Sequence, residues 1–507
     1  MPEPSGRDKP INRFLYDGVN LTAQIQSGKP LSFGQKLKLT AELSWPSIMA
    51  QLSSILMQYI DAAMVGHLGA DDSAAVGLVS TSLWLFWGLC SAATVGFSVQ
   101  VAHRVGAADY TQARAIFRQG ITASLAFGTI MALIGISISG MLPHWLGGDE
   151  VVCGKASVYF LVFVAALPIL SMNYLGSAML RATGNMRTAG ALNIMMCVLD
   201  VIFNFFLIFP GVNLEIGGFA FRTAGMGLGV LGAALGTVCA EIVTAGAVMW
   251  LACRHQPELA IFGRKSDSRN VTLRHFIPTG KILRNALKVS APMTLEHGVI
   301  CGAQIMVTVI VAPLGVFAIA ANSFAVTAEA LCYMPGYGIA DAATTLVGQS
   351  FGAKRKDLAR QFGYITVGLG MFVMTLMGAV MWLFAPEVMR MFTPVDGIVD
   401  LGVEALRIEA WAEPMFAASI VAYGVMVGVG DTLIPASMNF LSIWLVRLPI
   451  AAVLAPVMGL RGVWIAMCVE LCIRGFIFLW RLISGAWIKH GLDTASELAP
   501  SQVEPNI

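Results

Sequence analysis

Twelve long apolar runs follow one another along this chain, at 41–66, 74–101, 118–142, 156–180, 188–209, 225–252, 286–312, 316–350, 358–384, 401–426, 432–455 and 462–485. The hydrocarbon core of a bilayer is about 30 Å thick, so a helix needs about 20 apolar residues to cross it. Inside lipid every backbone polar group must find a partner within the protein, and an apolar run of this length does so as an α-helix. The expected fold is therefore an all-α integral membrane protein with twelve transmembrane helices. The run that begins near Leu43 follows a polar segment and is too long for the apolar region of a signal peptide, so it is expected to be a true span. The eighth run is overlong, and Pro335-Gly336-Tyr337-Gly338 is expected to break it. Pro46 and Pro292 are expected to kink spans one and seven.

Composition excludes the main alternatives. Hydrophobic residues make up 57% of the chain and charged residues 12%, against roughly 25% charged in soluble domains. Mean hydropathy is +0.73. The net charge of +2 gives no basic excess to suggest nucleic acid. Nine scattered cysteines include no Cys-x-x-Cys, so neither a structural metal nor a redox centre is expected. No cofactor is expected either.

The few charges set the orientation. With the amino terminus inside, 25 of the 32 Lys and Arg fall in inside loops and tails, and Lys155, Arg222, Arg390 and Arg461 fall outside. Positive charge is retained on the cytoplasmic side, so both termini are expected in the cytoplasm, with the protein in the plasma (inner) membrane. The longest polar connection, 253–285, carries Arg264-Lys265-Ser266-Asp267-Ser268-Arg269 and reads as a linker between two lobes. The expected organisation is a cytoplasmic segment at 1–40, a first lobe at 41–252, the linker at 253–285, a second lobe at 286–485 and a cytoplasmic tail at 486–507.

A constant shift of 246 residues superimposes the two halves. Ser44 and Pro46 fall on Ser290 and Pro292, Leu68-Gly69 on Leu314-Gly315, Gly106-Ala107 on Gly352-Ala353, and Ala113-Arg114 on Ala359-Arg360. Pro168 falls on Pro414, Gly184 on Gly430 and Asn193 on Asn439. Apolar matches are cheap in such a chain, so the Gly, Pro and Asn matches carry the argument. Each half has an even number of spans, so the halves point the same way and their pseudo-twofold axis runs along the membrane normal. Parallel repeats of this kind are typical of transporters, whose sites lie at the repeat interface.

Four segments carry a family resemblance. Asp61-Ala62-Ala63-Met64-Val65-Gly66-His67-Leu68-Gly69 resembles the end of span one in bacterial multidrug and toxic compound extrusion (MATE) transporters. Leu180-Arg181-Ala182-Thr183-Gly184-Asn185-Met186-Arg187-Thr188 resembles their span-four loop, and Leu346-Val347-Gly348-Gln349-Ser350-Phe351-Gly352-Ala353 the end of span eight. Gly428-Val429-Gly430-Asp431-Thr432 resembles the loop after span ten, with Val427 where an Arg often stands. The resemblance covers about residues 41–485. It implies two six-helix lobes in a V, alternating access, and export of small organic cations against entering H+ or Na+. A monomer embedded in the bilayer is expected.

Ionisable groups inside spans are costly and are functional candidates by default. Asp61 lies in the outer part of span one, at a depth that Asp200 and Asn204 of span five can share. Asn193, Asp200 and Asn204 are spaced seven and four apart and share one helix face. These four are the first candidates for a cation-coupling and substrate-binding site, and the resemblance implies that role for Asp61. The asparagines also suit plain interhelical hydrogen bonding. Glu296, Glu329, Asp341, Glu409, Glu413 and Arg447 form a second set in the second lobe, where one branch of the family binds Na+ through carboxylates. Glu470 and Arg474, four apart, look like a structural pair, and Glu241 stays open.

Three other classes compete. A lipid or lipid-linked oligosaccharide flippase needs a cationic cavity, and the interiors of the first-lobe spans carry acids rather than Lys or Arg. An intramembrane enzyme needs a nucleophile with its base or a metal set in one place, and the seven histidines lie mostly in loops or at span ends. A passive channel lacks any pore-loop signature here.

Overall fold

The computed structural model describes residues 23–211, 213–216, 219–222, 225–261, 273–489 and 491. Residues 1–22 of the expected first segment, 262–272 of the linker with its charged run, and most of the tail lie outside the described residues.

All twelve apolar runs are helical spans. Spans one to three are Phe33–Gly66, Ala70–Gly106 and Tyr110–Ile138. Span four is a bent pair, Glu150–Ala165 and Leu167–Ala182, and spans five and six are Met186–Ile208 and Val230–Arg254. Spans seven to nine are Gly280–Val311, Val316–Gly352 and Lys356–Phe392. Span ten is a second bent pair, Asp396–Glu409 and Glu413–Val429. Span eleven runs Leu433–Ser442, Ile443–Arg447 and Leu448–Met458, its middle piece a π-helical turn, and span twelve is Leu460–Ser484. Side chains such as Ile130 and Leu133 on span three, and Phe372, Leu376 and Leu383 on span nine, are exposed. They form apolar outer faces suited to lipid rather than water.

The helix starts follow local chemistry. Ser32 and Gln35 form a capping box before span one. Asp109, Asp149 and Asn185 each accept a backbone N–H at the start of the following helix. Gly184 and Gly430, equivalent under the repeat, both adopt left-handed φ, at 87° and 86°. That conformation turns the chain sharply at the end of spans four and ten and favours glycine.

One expectation needs correction. Span eight does not break at Pro335, since Val316–Gly352 is one continuous helix. Gly336 and Gly338 serve packing there: a Cβ on Gly338 would sit 2.6 Å from the Ile48 backbone nitrogen, and one on Gly336 2.5 Å from Met374 Sδ. Breaking the helix in lipid would leave several backbone groups without partners, whereas the proline removes one bond. The breaks lie instead in spans four and ten, bent by 47° and 60°, next to the equivalent Pro168 and Pro414. Each proline occupies the first turn of the second segment, where its missing N–H costs least. One short hairpin lies in the connection between spans five and six, where Asn213–Ile216 pairs antiparallel with Phe219–Arg222. In sequence Gly217-Gly218 separates two four-residue runs, a known hairpin signal.

The lobes meet along spans one with eight and two with seven and eight. At the end of the bundle where spans two, four, eight and ten finish, the seam obeys the repeat. His103 Nε2 lies 2.7 Å from the Gly428 carbonyl oxygen, and Gln349 Nε2 donates to the Ala182 carbonyl oxygen at 2.8 Å. His103 and Gln349 are equivalent positions, as are Ala182 and Gly428. The seam is so close that a Cβ on Gly106 would lie 2.0 Å from Gln349 O, and one on the equivalent Gly352 2.0 Å from His103 O. Ahead of span one, Gln26 Nε2 donates to Val105 O of the first lobe at 2.8 Å, while Arg355 of the second lobe donates to Ile25 O at 3.0 Å. This short segment therefore bridges the lobes at the same end.

Candidate functional site

Span five places Asp200 and Asn204 one helical turn apart, both buried. Span one brings Asp61 against them. The Asn204 amide donates to Asp61 Oδ1 at 2.9 Å and to Asp200 Oδ2 at 3.1 Å, so one side chain joins two carboxylates from different helices. Thr237 of span six is also within hydrogen-bonding reach of Asp200. Among the described residues, Asp200 Oδ1 and Asn204 Oδ1 are buried with no donor in full hydrogen-bond geometry. Such groups are costly in an apolar setting. Among the described residues, no Lys, Arg or His lies within ion-pair distance of Asp61 or Asp200. Span six leaves room for the arrangement because residue 236 is glycine: a Cβ there would sit 2.0 Å from Asn204 Oδ1.

Asn193 does not join this cluster. Its amide donates to Ala50 O at 3.0 Å and Ser54 Oγ at 2.9 Å, tying span five to span one. It shares the helix face of Asp200 but stands about 10 Å lower along the axis, at 1.5 Å per residue. Glu241 of span six has a separate partner, accepting from Asn173 Nδ2 at 2.6 Å.

The second lobe divides its charged groups among three places. Glu296 accepts from Tyr423 Oη on one oxygen and from Asn439 Nδ2 on the other. Asp341 lies 3.9 Å from Arg181 of the first lobe, an ion pair across the lobe interface. Glu329, Glu409 and Glu413 are buried together in the lobe, with Glu329 and Glu409 within hydrogen-bonding reach of each other. Arg447, on the π-helical turn of span eleven, is an electrostatic neighbour of Glu329, Glu409 and Glu470. Arg474 Nε lies 3.1 Å from Glu470 Oε1, which also accepts from Ser442 Oγ.

Between the lobes lies a cavity of about 410 Å³, a size that suits a drug-like molecule. Glu296, Asp341, Tyr423 and Asn439 line it; Asp61, Asp200 and Asn204 do not. Tyr423 was not among the sequence candidates. A single tyrosine in an apolar run carries no signal until the fold brings it to Glu296.

The repeat makes the asymmetry plain. Asp61, Asp200 and Asn204 correspond to Val307, Val446 and Ile450, and Glu296 corresponds to Ala50. Each lobe thus carries carboxylates where its counterpart is apolar.

Three comparisons bear on this architecture. The MatE family model matches residues 46–206 and 292–453, one copy in each lobe. The probable multidrug resistance protein NorM of Thermotoga maritima is 27% identical over 460 residues, covering 89% of this chain and 93% of that protein. The multidrug resistance protein NorM of Burkholderia vietnamiensis is 26% identical over 478 residues, covering 92% and 97%. Among solved structures, a MOP superfamily transporter from Pyrococcus furiosus superposes with a TM-score of 0.81 at 22% identity, covering 92% of this chain and 98% of that one. An outward-facing MATE family transporter superposes equally well, at 21% identity.

Proposed function

The chain belongs to the MatE family of membrane transporters, and from that premise we propose that it is a secondary active exporter of organic, mostly cationic or amphipathic, small molecules, driven by inward movement of H+ or Na+. The observation that carries this reading is the Asp61–Asn204–Asp200 cluster. Two carboxylates from different helices, held by one amide and without a basic partner among the described residues, form a site for one small cation. Whether that cation is a proton shared by the pair or a sodium ion, its arrival and loss change how well spans one and five fit together. Antiport needs such a coupling between occupancy and helix packing. One charge entering through 100 mV releases about 2.3 kcal/mol, enough for roughly fiftyfold accumulation of cargo per charge.

Both termini lie in the cytoplasm in this reading, supported by the distribution of Lys and Arg. A flippase for anionic headgroups fits less well. Among the described residues, the arginines on the cavity wall, Arg181 and Arg474, each have an acidic partner rather than standing free for a phosphate.

Dye efflux from proteoliposomes tests the proposal. With a fluorescent organic cation loaded and either a proton or a sodium gradient imposed, one gradient is expected to drive efflux and the other not. No response to either gradient would overturn antiport, and transfer of a labelled lipid between leaflets in the same vesicles would establish the flippase.

The glycine in span six gives a sharper expectation. Gly236→Ala should push Asn204 off the carboxylate pair and slow gradient-driven efflux tenfold or more. Gly246→Ala is the control, because a Cβ there meets nothing within 4 Å. Equal rates for the two variants would show that the Asn204 bridge is dispensable.

A further inference from the structure

Resting on that exporter reading, we infer that Glu296, held by Tyr423 and Asn439, is the anionic anchor for the cationic group of the cargo, separate from the carboxylates that hold the coupling ion. Most of the charged groups on the cavity wall are paired. Arg181 and Asp341 face each other at 3.9 Å. Arg474 pairs with Glu470 at 3.1 Å. His297 places Nε2 3.2 Å from the Trp84 carbonyl oxygen, which can only accept, so that nitrogen donates away from Glu296. Glu296 is what remains. Its hydrogen-bond partners are neutral, and among the described residues no cation lies within ion-pair distance of it. The wall therefore holds, at a fixed place, a carboxylate with no ion-pair partner among the described residues, with Arg474 as an electrostatic neighbour.

The surroundings suit an organic cation rather than a bare ion. Tyr174, Tyr337, Phe416, Tyr423 and Met293 share the wall with Glu296. Aromatic faces attract delocalised cations, and a thioether adapts to varied shapes. An ionised carboxylate has about four acceptor sites, and Tyr423 and Asn439 occupy two of them, one on each oxygen. Two donors fix the group's orientation and leave acceptor capacity for a ligand.

The repeat supports a division of labour. In the first lobe Asn193 bonds the backbone oxygen of Ala50. The equivalent Asn439 bonds the side chain of Glu296, the residue equivalent to Ala50. The inherited tie between these spans thus orients a carboxylate in the second lobe only. Conversely, the coupling cluster of the first lobe has Val307, Val446 and Ile450 as its counterparts. One lobe is equipped for the ion and the other for the cargo's charge, so the two cations need not compete for one carboxylate.

The test uses two ions of nearly equal shape and opposite charge, tetraphenylphosphonium and tetraphenylborate, binding to the purified full-length protein in detergent at fixed pH. Glu296→Gln is expected to weaken tetraphenylphosphonium at least tenfold and to leave tetraphenylborate unchanged or tighter. Glu296→Asp should recover most of the loss. If the Gln variant does not purify as a single species, Glu296→Ala, which installs the residue found at the equivalent position 50, takes its place with the same expectation. A loss of less than threefold, or an equal loss for both ions, would overturn the assignment. Gradient-driven efflux at saturating dye is measured alongside, and the Gln variant is expected to keep its dependence on the gradient. If the parent protein itself shows no gradient dependence, the antiport reading fails while the binding result still decides the role of Glu296. If Glu296→Gln loses gradient drive with cation affinity intact, Glu296 belongs to coupling and the inference is wrong.

Discussion

Asp61→Asn is expected to abolish gradient-driven efflux, by a hundredfold or more, while leaving the protein folded and able to bind cargo. Asparagine keeps the shape of the side chain and can still offer an oxygen to the Asn204 amide, which donates to Asp61 Oδ1 at 2.9 Å. What it cannot do is change its charge. The coupling ion then loses one of its two carboxylates, and occupancy no longer follows the gradient. Asp200→Asn should give the same loss, because Asn204 ties both groups into one unit. The double variant is expected to be no worse than either single one, since groups that act together show strong non-additivity. The measurement is initial efflux rate in proteoliposomes with and without the gradient, with cargo binding in detergent as the control for folding. Substantial gradient drive in either single variant would remove the pair from the coupling site. Multiplicative losses in the double variant would mean that the two carboxylates act separately.

How much of this was readable beforehand depended on whether the signal was local. The twelve spans were legible because each is one uninterrupted apolar run, and lipid leaves such a run no other structure. The breaks in spans four and ten were half legible. Pro168 and Pro414 matched under the repeat, but a proline in the first turn after a bend and a proline inside a continuous helix look alike in sequence, as Pro335 shows. The meeting of Asp61 with Asp200 and Asn204 was legible from depth and helical spacing. The same spacing drew in Asn193, because periodicity reports the face of a helix and not the height at which a partner stands. Asn193 finds its partners two turns away, at Ala50 and Ser54. The second lobe was the least legible. Its acids were identifiable one by one, yet their sorting into a cavity-facing Glu296, an inter-lobe Asp341 and a buried Glu329–Glu409–Glu413 group depends on contacts between distant spans.

Gly106→Leu and Gly352→Leu should both slow transport by one shared step, the closing of the seam between the lobes. The two glycines occupy equivalent places, and each lets a helix lie against the backbone of the opposite lobe, with room for a Cβ only 2.0 Å from a carbonyl oxygen. The hydrogen bonds beside them, His103 to Gly428 and Gln349 to Ala182, are related by the same repeat. Neither contact belongs to the packing inside a lobe, so a leucine here should spare each lobe's fold and exclude only the closed seam. In alternating access the seam must close in one half of the cycle and part in the other. A protein barred from closing it should remain open at this end. Transport is then expected to fall at least tenfold with cargo binding retained. An added cysteine at position 345, whose hydroxyl now reaches across the lobes to Arg181 O at 3.1 Å, should react faster with an impermeant thiol reagent in the leucine variants than in the parent. Transport at the parent rate would show that the lobes need not meet here. Loss of transport without faster labelling would mean that leucine damages the lobe rather than the seam. Because the two positions are equivalent, matching behaviour of both variants would further show that the duplicated halves still close as a symmetric pair, even though their carboxylates have diverged.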